Sequence, residues 1–233
     1  MMDDVLAAAA QELDAARPED VLRWATERLP RVGFATGLGV EGCVVVDLIG
    51  RHSLPVDVFT LDTGLLFPQT YELRRRLEAH SGVTIRAVRP ALGVEEQAEA
   101  HGPALWERDP DACCQLRKLD PLASVMRGLD GWISAIRRDQ TPERSAARTV
   151  ERDRRWGIVK INPLARWTTK EVWRYIHDHN VPYNPLHDEG YPSIGCQPCT
   201  TPVTEGEDPR AGRWRGQAKR ECGLHLSAKE TSR

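Results

Sequence analysis

Short apolar runs alternate with segments of helical spacing along most of this chain, and that alternation leaves few folds open. Residues 32–36 are a short apolar run that enters a glycine-bearing loop, 37–42, and then an unbroken apolar segment, 43–49. Residues 56–61 repeat the pattern: they end at Asp62-Thr63-Gly64, and 68–80 follow with Pro68 near the start and charges on one face. A third strand is predicted over 84–88, and further strands over 132–136 and 158–161. Strands separated by helices predict an α/β fold, a parallel sheet flanked by helices whose ligands bind beyond the carboxyl ends of the strands. The loops after Thr36, Leu61 and Ile136 are therefore where chemistry is expected.

Residues 5–29 carry apolar positions at helical spacing, among them Val21, Leu22, Trp24, Ala25 and Leu29, and Pro30 ends the pattern, so two amphipathic helices are expected there. Helical segments are also expected around 116–127 and over 168–179, the latter with a Thr168 cap and apolar Val172, Trp173 and Ile176. Residues 137–155 are strongly basic. From 181 to 233 the chain is rich in proline, glycine and charge, which predicts a loop-rich tail. The expected division is an α/β domain with N-terminal helices over 1–180 and a loop-rich C-terminal segment over 181–233.

With 233 residues, 40% of them hydrophobic, the chain can bury a sizeable core without staples. It has no apolar run of membrane-spanning length, and residues 1–10 carry acids where a signal peptide has bases, so a cytoplasmic protein with no membrane partner is expected. The 32 basic and 34 acidic residues nearly cancel, which gives no general attraction for nucleic acid. An anionic ligand must be recognised locally. In a reducing compartment the six cysteines, at 43, 113, 114, 196, 199 and 222, point to metal or thiol chemistry rather than disulfides.

Cys113-Cys114 and Cys196-Gln197-Pro198-Cys199 offer four thiolates from two distant segments, a donor set suited to a 4Fe-4S cluster or to zinc. Adjacent cysteines diverge around one tetrahedral ion, whereas a cube with separate iron corners accommodates them. Two buried cysteines beside an unrelated CxxC pair is the remaining reading. Arg117 and Lys118 lie four residues beyond the double cysteine, so on a helix each cation returns to the face of one thiol and would offset the charge of a thiolate cluster. Cys222 stands near the C-terminus between Lys219, Arg220 and His225, which favour its thiolate, and Glu221, which opposes it. It is a candidate nucleophile, while Cys43, within an apolar run, reads as packing.

The segment from Thr36 through Leu38 and Glu41 to Gly42 joins a strand to a helix, so its amides could cradle phosphate or sulfate. It matches neither the P-loop nor the three-glycine dinucleotide pattern. Arg137 with Arg138, and Arg210 with Arg213, supply forked donors for such oxygens.

Six motifs together resemble the iron-sulfur adenosine 5'-phosphosulfate reductases of the assimilatory sulfonucleotide reductase family. They are Leu61-Asp62-Thr63-Gly64 with Phe67, Cys113-Cys114-Gln115-Leu116-Arg117-Lys118, the stretch from Trp132 to Arg138, Asn162-Pro163-Leu164, the stretch from Tyr191 to Thr200, and Glu221-Cys222-Gly223-Leu224-His225. The resemblance implies an adenine nucleotide α-hydrolase-like fold related to the PP-loop pyrophosphatases. The SGGxD loop of ATP-cleaving relatives is absent, so pyrophosphate release is not expected. It further implies that Cys113, Cys114, Cys196 and Cys199 hold a 4Fe-4S cluster, and that Cys222, with His225 in its motif, attacks the sulfate sulfur. AMP leaves, and thioredoxin then releases sulfite from S-sulfocysteine.

By the same resemblance Lys118, Arg210 and Arg213, joined by Arg137 and Arg138, surround the phosphosulfate. Thr36, Leu38 and Glu41 with Leu61, Asp62 and Thr63 hold the nucleotide. Cluster-free relatives that reduce the 3'-phosphorylated nucleotide keep the ECGLH ending and lack the four ligands, so this chain is expected to take the unphosphorylated substrate. Thr36 and Leu38 stand where many relatives have serines, and Ala135 where a glycine is usual, changes that tune affinity and keep the 3'-phosphorylated nucleotide as the alternative. A zinc-stapled nucleic-acid-binding module using residues 137–155 is the alternative of another class. Self-association into a homo-oligomer is compatible with the sequence.

Overall fold

The computed structural model describes residues 2–217 and 219. The chain divides into two interleaved compact units. Unit 1 comprises the chain up to Thr60, Leu73–Arg86 and Met126–Tyr183, and unit 2 comprises Leu61–Glu72, Ala87–Val125 and the chain from Asn184.

Unit 1 carries the sheet, apart from the last residues of two strands. Six strands lie in the order β3-β2-β1-β4-β6-β5. They are β1 (Val32–Ala35), β2 (Val56–Leu61), β3 (Arg86–Val88), β4 (Gly131–Ile133), β5 (Val150–Arg152) and β6 (Val159–Ile161). β1 runs parallel to both β2 and β4, with Val32 opposite Val56 on one side and Gly131 on the other, and β4 runs parallel to β6. β5 is antiparallel to β6, so the sheet is mixed and mostly parallel. This edge strand lies inside the basic 137–155 segment. Only Val150 of its three residues is buried, which leaves no strand signature to read. The strand order reverses between β1 and β4, so the loops leaving their carboxyl ends frame the switch point where α/β sheets bind ligands.

Helices α1 (Met2–Glu12) and α2 (Pro18–Arg28) match the two expected. Pro18 starts α2 with a preset φ, Glu19 and Asp20 complement its N-terminus, and Val21, Leu22 and Ala25 bury one stripe. α3 (Val40–Arg51) is buried almost all round, including Cys43 at 0% exposure, which explains its unbroken apolar sequence. α9 (Thr169–Asp178) begins with a capping box: the Thr168 hydroxyl accepts from Glu171 N, and Glu171 accepts from Thr168 N at 2.7 Å. It buries Val172 and Ile176 against the core and packs on α3. One continuous core joins these helices to the sheet through Phe34, Val45, Ile49, Leu77, Ile133 and Ile161.

Unit 2 is built from short elements. These include α5 (Val94–His101), α6 (Leu105–Arg108), α7 (Pro110–Cys114), a π turn (Gln115–Leu119) and most of α8 (Asp120–Met126). The part of α4 (Pro68–Ser81) before Leu73 also belongs to it. α5 escapes sequence reading because Gln97 is its only buried residue, so it has no apolar period. Over the described residues from 184 to 217 the chain forms loops tied by two 3₁₀ turns and by isolated bridges, Leu66 to Cys196 and Thr200 to Arg213.

Candidate functional site

The four cysteines expected together line one cavity of unit 2, with Leu65, Trp106, Pro110, Arg117 and Lys118 completing its wall. Pro110 and Asp109 start α7, the Asp109 carboxylate accepting from Ala112 N at 2.9 Å, and this short capped helix delivers Cys113 and Cys114, both buried. The second pair is held from behind. Gln197 N donates to Leu65 O at 2.7 Å, and the Thr200 hydroxyl donates to Cys196 O at 2.9 Å and accepts from Gly195 N. Cys196, buried, precedes a 3₁₀ turn (Gln197–Cys199) that ends in the half-buried Cys199.

Burial pushes the Cys199 thiol up to about 11, with the Cys196 thiol adding to the rise and Lys118 opposing it. Burial also raises Cys113, helped by Cys114 and Cys196 and opposed by Arg117 and a hydrogen bond from Gln97. Thiols raised in this way become thiolates when a metal displaces their protons. Among the described residues no three Cys, His, Asp or Glu side chains gather at the spacing of a single metal ion.

Both cations expected beside the cysteines line the cavity, but they arrive on the π turn rather than on a regular α-helix. Arg117 is 3% exposed, and neutral oxygens engage it: Nε donates to Thr63 O at 2.6 Å, and Nη1 to Gln97 Oε1 at 2.8 Å. Lys118 is half-buried.

Thr63, expected at the nucleotide, has its hydroxyl 3.3 Å from Cys196 Sγ. Asp62 is also buried and engaged: its carboxylate accepts from Tyr71 Oη at 2.7 Å, Arg89 Nε at 3.0 Å and Gly64 N at 3.1 Å, which fixes the turn after the half-buried Leu61. Arg210 and Arg213 sit on one turn, with Arg213 N donating to Arg210 O. The Arg213 guanidinium lies 4.5 Å from the Trp214 ring centroid, and a Cβ on Gly195 would meet it at 2.2 Å, so a side chain there would push the guanidinium from this place.

Unit 1 holds the other expected residues at the switch point. Thr36 N donates to Phe59 O, and the Thr36 hydroxyl accepts from Leu38 N at 3.1 Å. That turn sets Leu38 at φ 56, in the left-handed region, with its side chain buried. A Cβ on Gly42 would stand 2.6 Å from the Thr36 hydroxyl, so the glycine lets α3 start directly against the loop. Glu41 accepts from Arg137 at 3.1 Å and from Gln140 at 3.0 Å. Arg137 also donates to Asp139, and Arg138 to Asp14 at 2.6 Å and to Ala147 O at 2.7 Å. The two arginines expected beside a substrate anion thus also bond protein oxygens that tie neighbouring loops. Cys222 and His225 lie outside the described residues.

A profile of the phosphoadenosine phosphosulfate reductase domain matches residues 31–202. The chain belongs to this family. It is 48% identical to adenosine 5'-phosphosulfate reductase of Halalkalibacterium halodurans over 92% of its own length and 94% of the relative's. It is 47% identical to adenosine 5'-phosphosulfate reductase 1 of Bacillus subtilis over 88% and 89% of the two chains. Among solved structures, phosphoadenylyl-sulfate reductase from Candida auris, in a phosphate complex, superposes with a TM-score of 0.77 at 34% identity, covering 84% of this chain and 96% of that one. FMN adenylyltransferase of Candida glabrata superposes at 0.57 with 15% identity, covering 88% and 69%, which extends the likeness of fold alone to adenine nucleotide enzymes.

Two residues beside the thiol cavity gave no signal in the sequence. Gln97 gave no signal, since nothing marks one glutamine in a polar helix. Trp214 adjoins Arg213, and its indole Nε1 is buried without a hydrogen-bond partner among the described residues. No described helix is long and apolar enough to cross a membrane.

Proposed function

We propose that this chain reduces adenosine 5'-phosphosulfate to sulfite and AMP in sulfate assimilation, with thioredoxin as reductant, Cys222 as nucleophile and a 4Fe-4S cluster on Cys113, Cys114, Cys196 and Cys199. The observation that carries this reading is the gathering of four thiols around one cavity with Arg117 and Lys118, in a chain close in sequence to reductases of that name. The donor set fits the cluster. It is all sulfur, the four thiols line one cavity, and two are adjacent, as separate iron corners allow. The Thr63 hydroxyl beside Cys196 and the Trp214 indole N–H, which has no partner among the described residues and whose backbone N bonds Cys199 O, are donors suited to cluster sulfur.

When bound, the cluster supplies a compact negative charge that acts electrostatically rather than as an electron carrier. The reaction itself falls to the chain's own residues. The Cys222 thiolate forms a bond to the sulfate sulfur, the bond from that sulfur to the bridging oxygen breaks, and AMP leaves with the electron pair. A thioredoxin thiolate then attacks the Cys222 sulfur and displaces sulfite. Its second thiol resolves the mixed disulfide, so the two electrons that reduce the sulfur come from the dithiol. Lys118, Arg210 and Arg213 offset repulsion between an anionic nucleophile and an anionic substrate and stabilise charge on the departing phosphate. The loop of Thr36, Leu38 and Glu41 supports the nucleotide, with Arg137 and Arg138 fixing loops around it. Residues 181–233 form the segment that carries both the CxxC pair and the nucleophile. A reducing cytoplasm keeps all these thiols available.

Intact mass after incubation with each sulfonucleotide tests the reading. The protein should gain one sulfonate from adenosine 5'-phosphosulfate, and Cys222→Ser should gain none. Sulfonation by the 3'-phosphorylated nucleotide alone would favour the substrate named for the Candida auris relative. Iron and acid-labile sulfide in anaerobically purified protein test the cluster, and zinc in their place would overturn it.

A further inference from the structure

We propose that Lys219 is a positioning residue, which fastens the base of the C-terminal tail to both cysteine-bearing segments and so limits where Cys222 can go. The Lys219 ammonium pairs with the carboxylate of Asp111, in the first turn of α7, the helix that ends in Cys113 and Cys114. The same ammonium lies 5.5 Å from the Trp214 ring centroid, and Trp214 N donates to Cys199 O at 3.0 Å. One cation therefore touches the supports of both thiol pairs.

The Lys219 side chain is only 7% exposed, unusual for a lysine unless it is paired. The ammonium is held between the carboxylate of Asp111, itself 83% exposed, and an aromatic face, which gives it a defined position that a fully solvated lysine lacks. Trp214 is similarly constrained, with φ 50 in the left-handed region that a bulky residue seldom adopts and with Arg213 also against its ring.

The functional consequence follows from chain length. Cys222 is three residues beyond Lys219, and extended backbone spans at most about 3.6 Å per residue, so the two Cα atoms stay within about 11 Å. Fastening Lys219 to α7 therefore sets an upper bound, by chain length alone, on how far the Cys222 backbone can stand from the helix that carries Cys113 and Cys114. Confining a nucleophile raises its effective concentration, and misplacing one by a single ångström can cost about 100-fold in rate. The inference rests on Cys222 being the nucleophile.

Single-turnover sulfonation by adenosine 5'-phosphosulfate, followed by intact mass at several substrate concentrations, tests it on the full chain and on Lys219→Arg, Lys219→Gln, Asp111→Asn and the exchanged pair Asp111→Lys with Lys219→Asp. Iron content and visible absorbance are recorded for each. Lys219→Gln and Asp111→Asn should keep their iron and their half-saturating substrate concentration but sulfonate about 10- to 100-fold more slowly. Lys219→Arg should stay near wild type, and the exchanged pair should recover part of the rate. If wild type gains no sulfonate, the nucleophile reading fails and the fastener with it. Sulfonation at the wild-type rate by the single variants, or slowing only in proportion to lost iron, would overturn the fastener alone.

Discussion

Asp47 is buried in α3 at 2% exposure, and its carboxylate accepts from Arg51 Nε at 2.6 Å, Tyr175 Oη at 2.7 Å and His80 Nε2 at 2.9 Å. It joins α3, α4 and α9 at one point. In the sequence it is the single polar residue of an apolar run, and which donors meet it depends on helix packing that no local pattern encodes. Asp47→Ala strands the half-buried Tyr175 phenol and should cost about 1–3 kcal/mol in urea unfolding. An unchanged midpoint would show that the three donors find other partners. Asp62 and Tyr71 make a second such pair, within unit 2. Burial and the Asp62 carboxylate raise the Tyr71 phenol from 10 to about 12. Burial would raise Asp62, but its bonds from Tyr71, Arg89 and Gly64 outweigh burial and lower it below 3.8. A raised phenol contributes stability that is complete below pH 10 and is lost as pH climbs through about 12. The lowered carboxyl contributes above pH 3.8 and loses that as pH falls further. Tyr71→Phe should therefore unfold with a flatter dependence between pH 10 and 12 than wild type, and a Tyr71 phenol that titrates near 10 by absorbance would refute the pairing.

Among the elements, those with strong periods were legible and those whose purpose is presentation were not. β2 and α9 follow from apolar spacing and a Thr cap, whereas α5 and α7 bury one and two residues and exist to present Gln97 and the cysteines. The cysteine site was legible as residue types, since thiols and adjacent cations have few other reasons to cluster. The π turn from Gln115 to Leu119 was not, because i→i+5 bonding has no sequence signature. It sets the direction in which Arg117 and Lys118 leave the helix relative to Cys113 and Cys114. Deleting Gln115 should let the turn relax to an α-helix, rotating both cations by about 100° relative to the cysteines. Purified protein should then carry less iron while far-ultraviolet circular dichroism keeps its helical signal. Full iron content would show that the turn is dispensable.

Across the molecule the two units rest on different foundations. Unit 1 has a sheet and a continuous apolar core. Unit 2 has short helices, two isolated bridges, a buried arginine on neutral acceptors and four cysteines around one cavity. The sequence presents these parts in linear order, and only the folded chain reveals that unit 2 collects three separated stretches whose shared centre is the thiol cavity. A unit so poor in apolar core depends on whatever fills that centre, because metal-binding free energy there is folding free energy. Anaerobic removal of iron by a chelator, followed by amide hydrogen exchange, should therefore deprotect residues 61–72, 87–125 and 184–217 well before strands β1, β4 and β6. Equal loss of protection in both sets would mean that the units open together and that the cluster stabilises the chain as a whole. Unchanged protection in unit 2 would mean that its loops and caps suffice, which its single buried residue in α5 and two in α7 argue against.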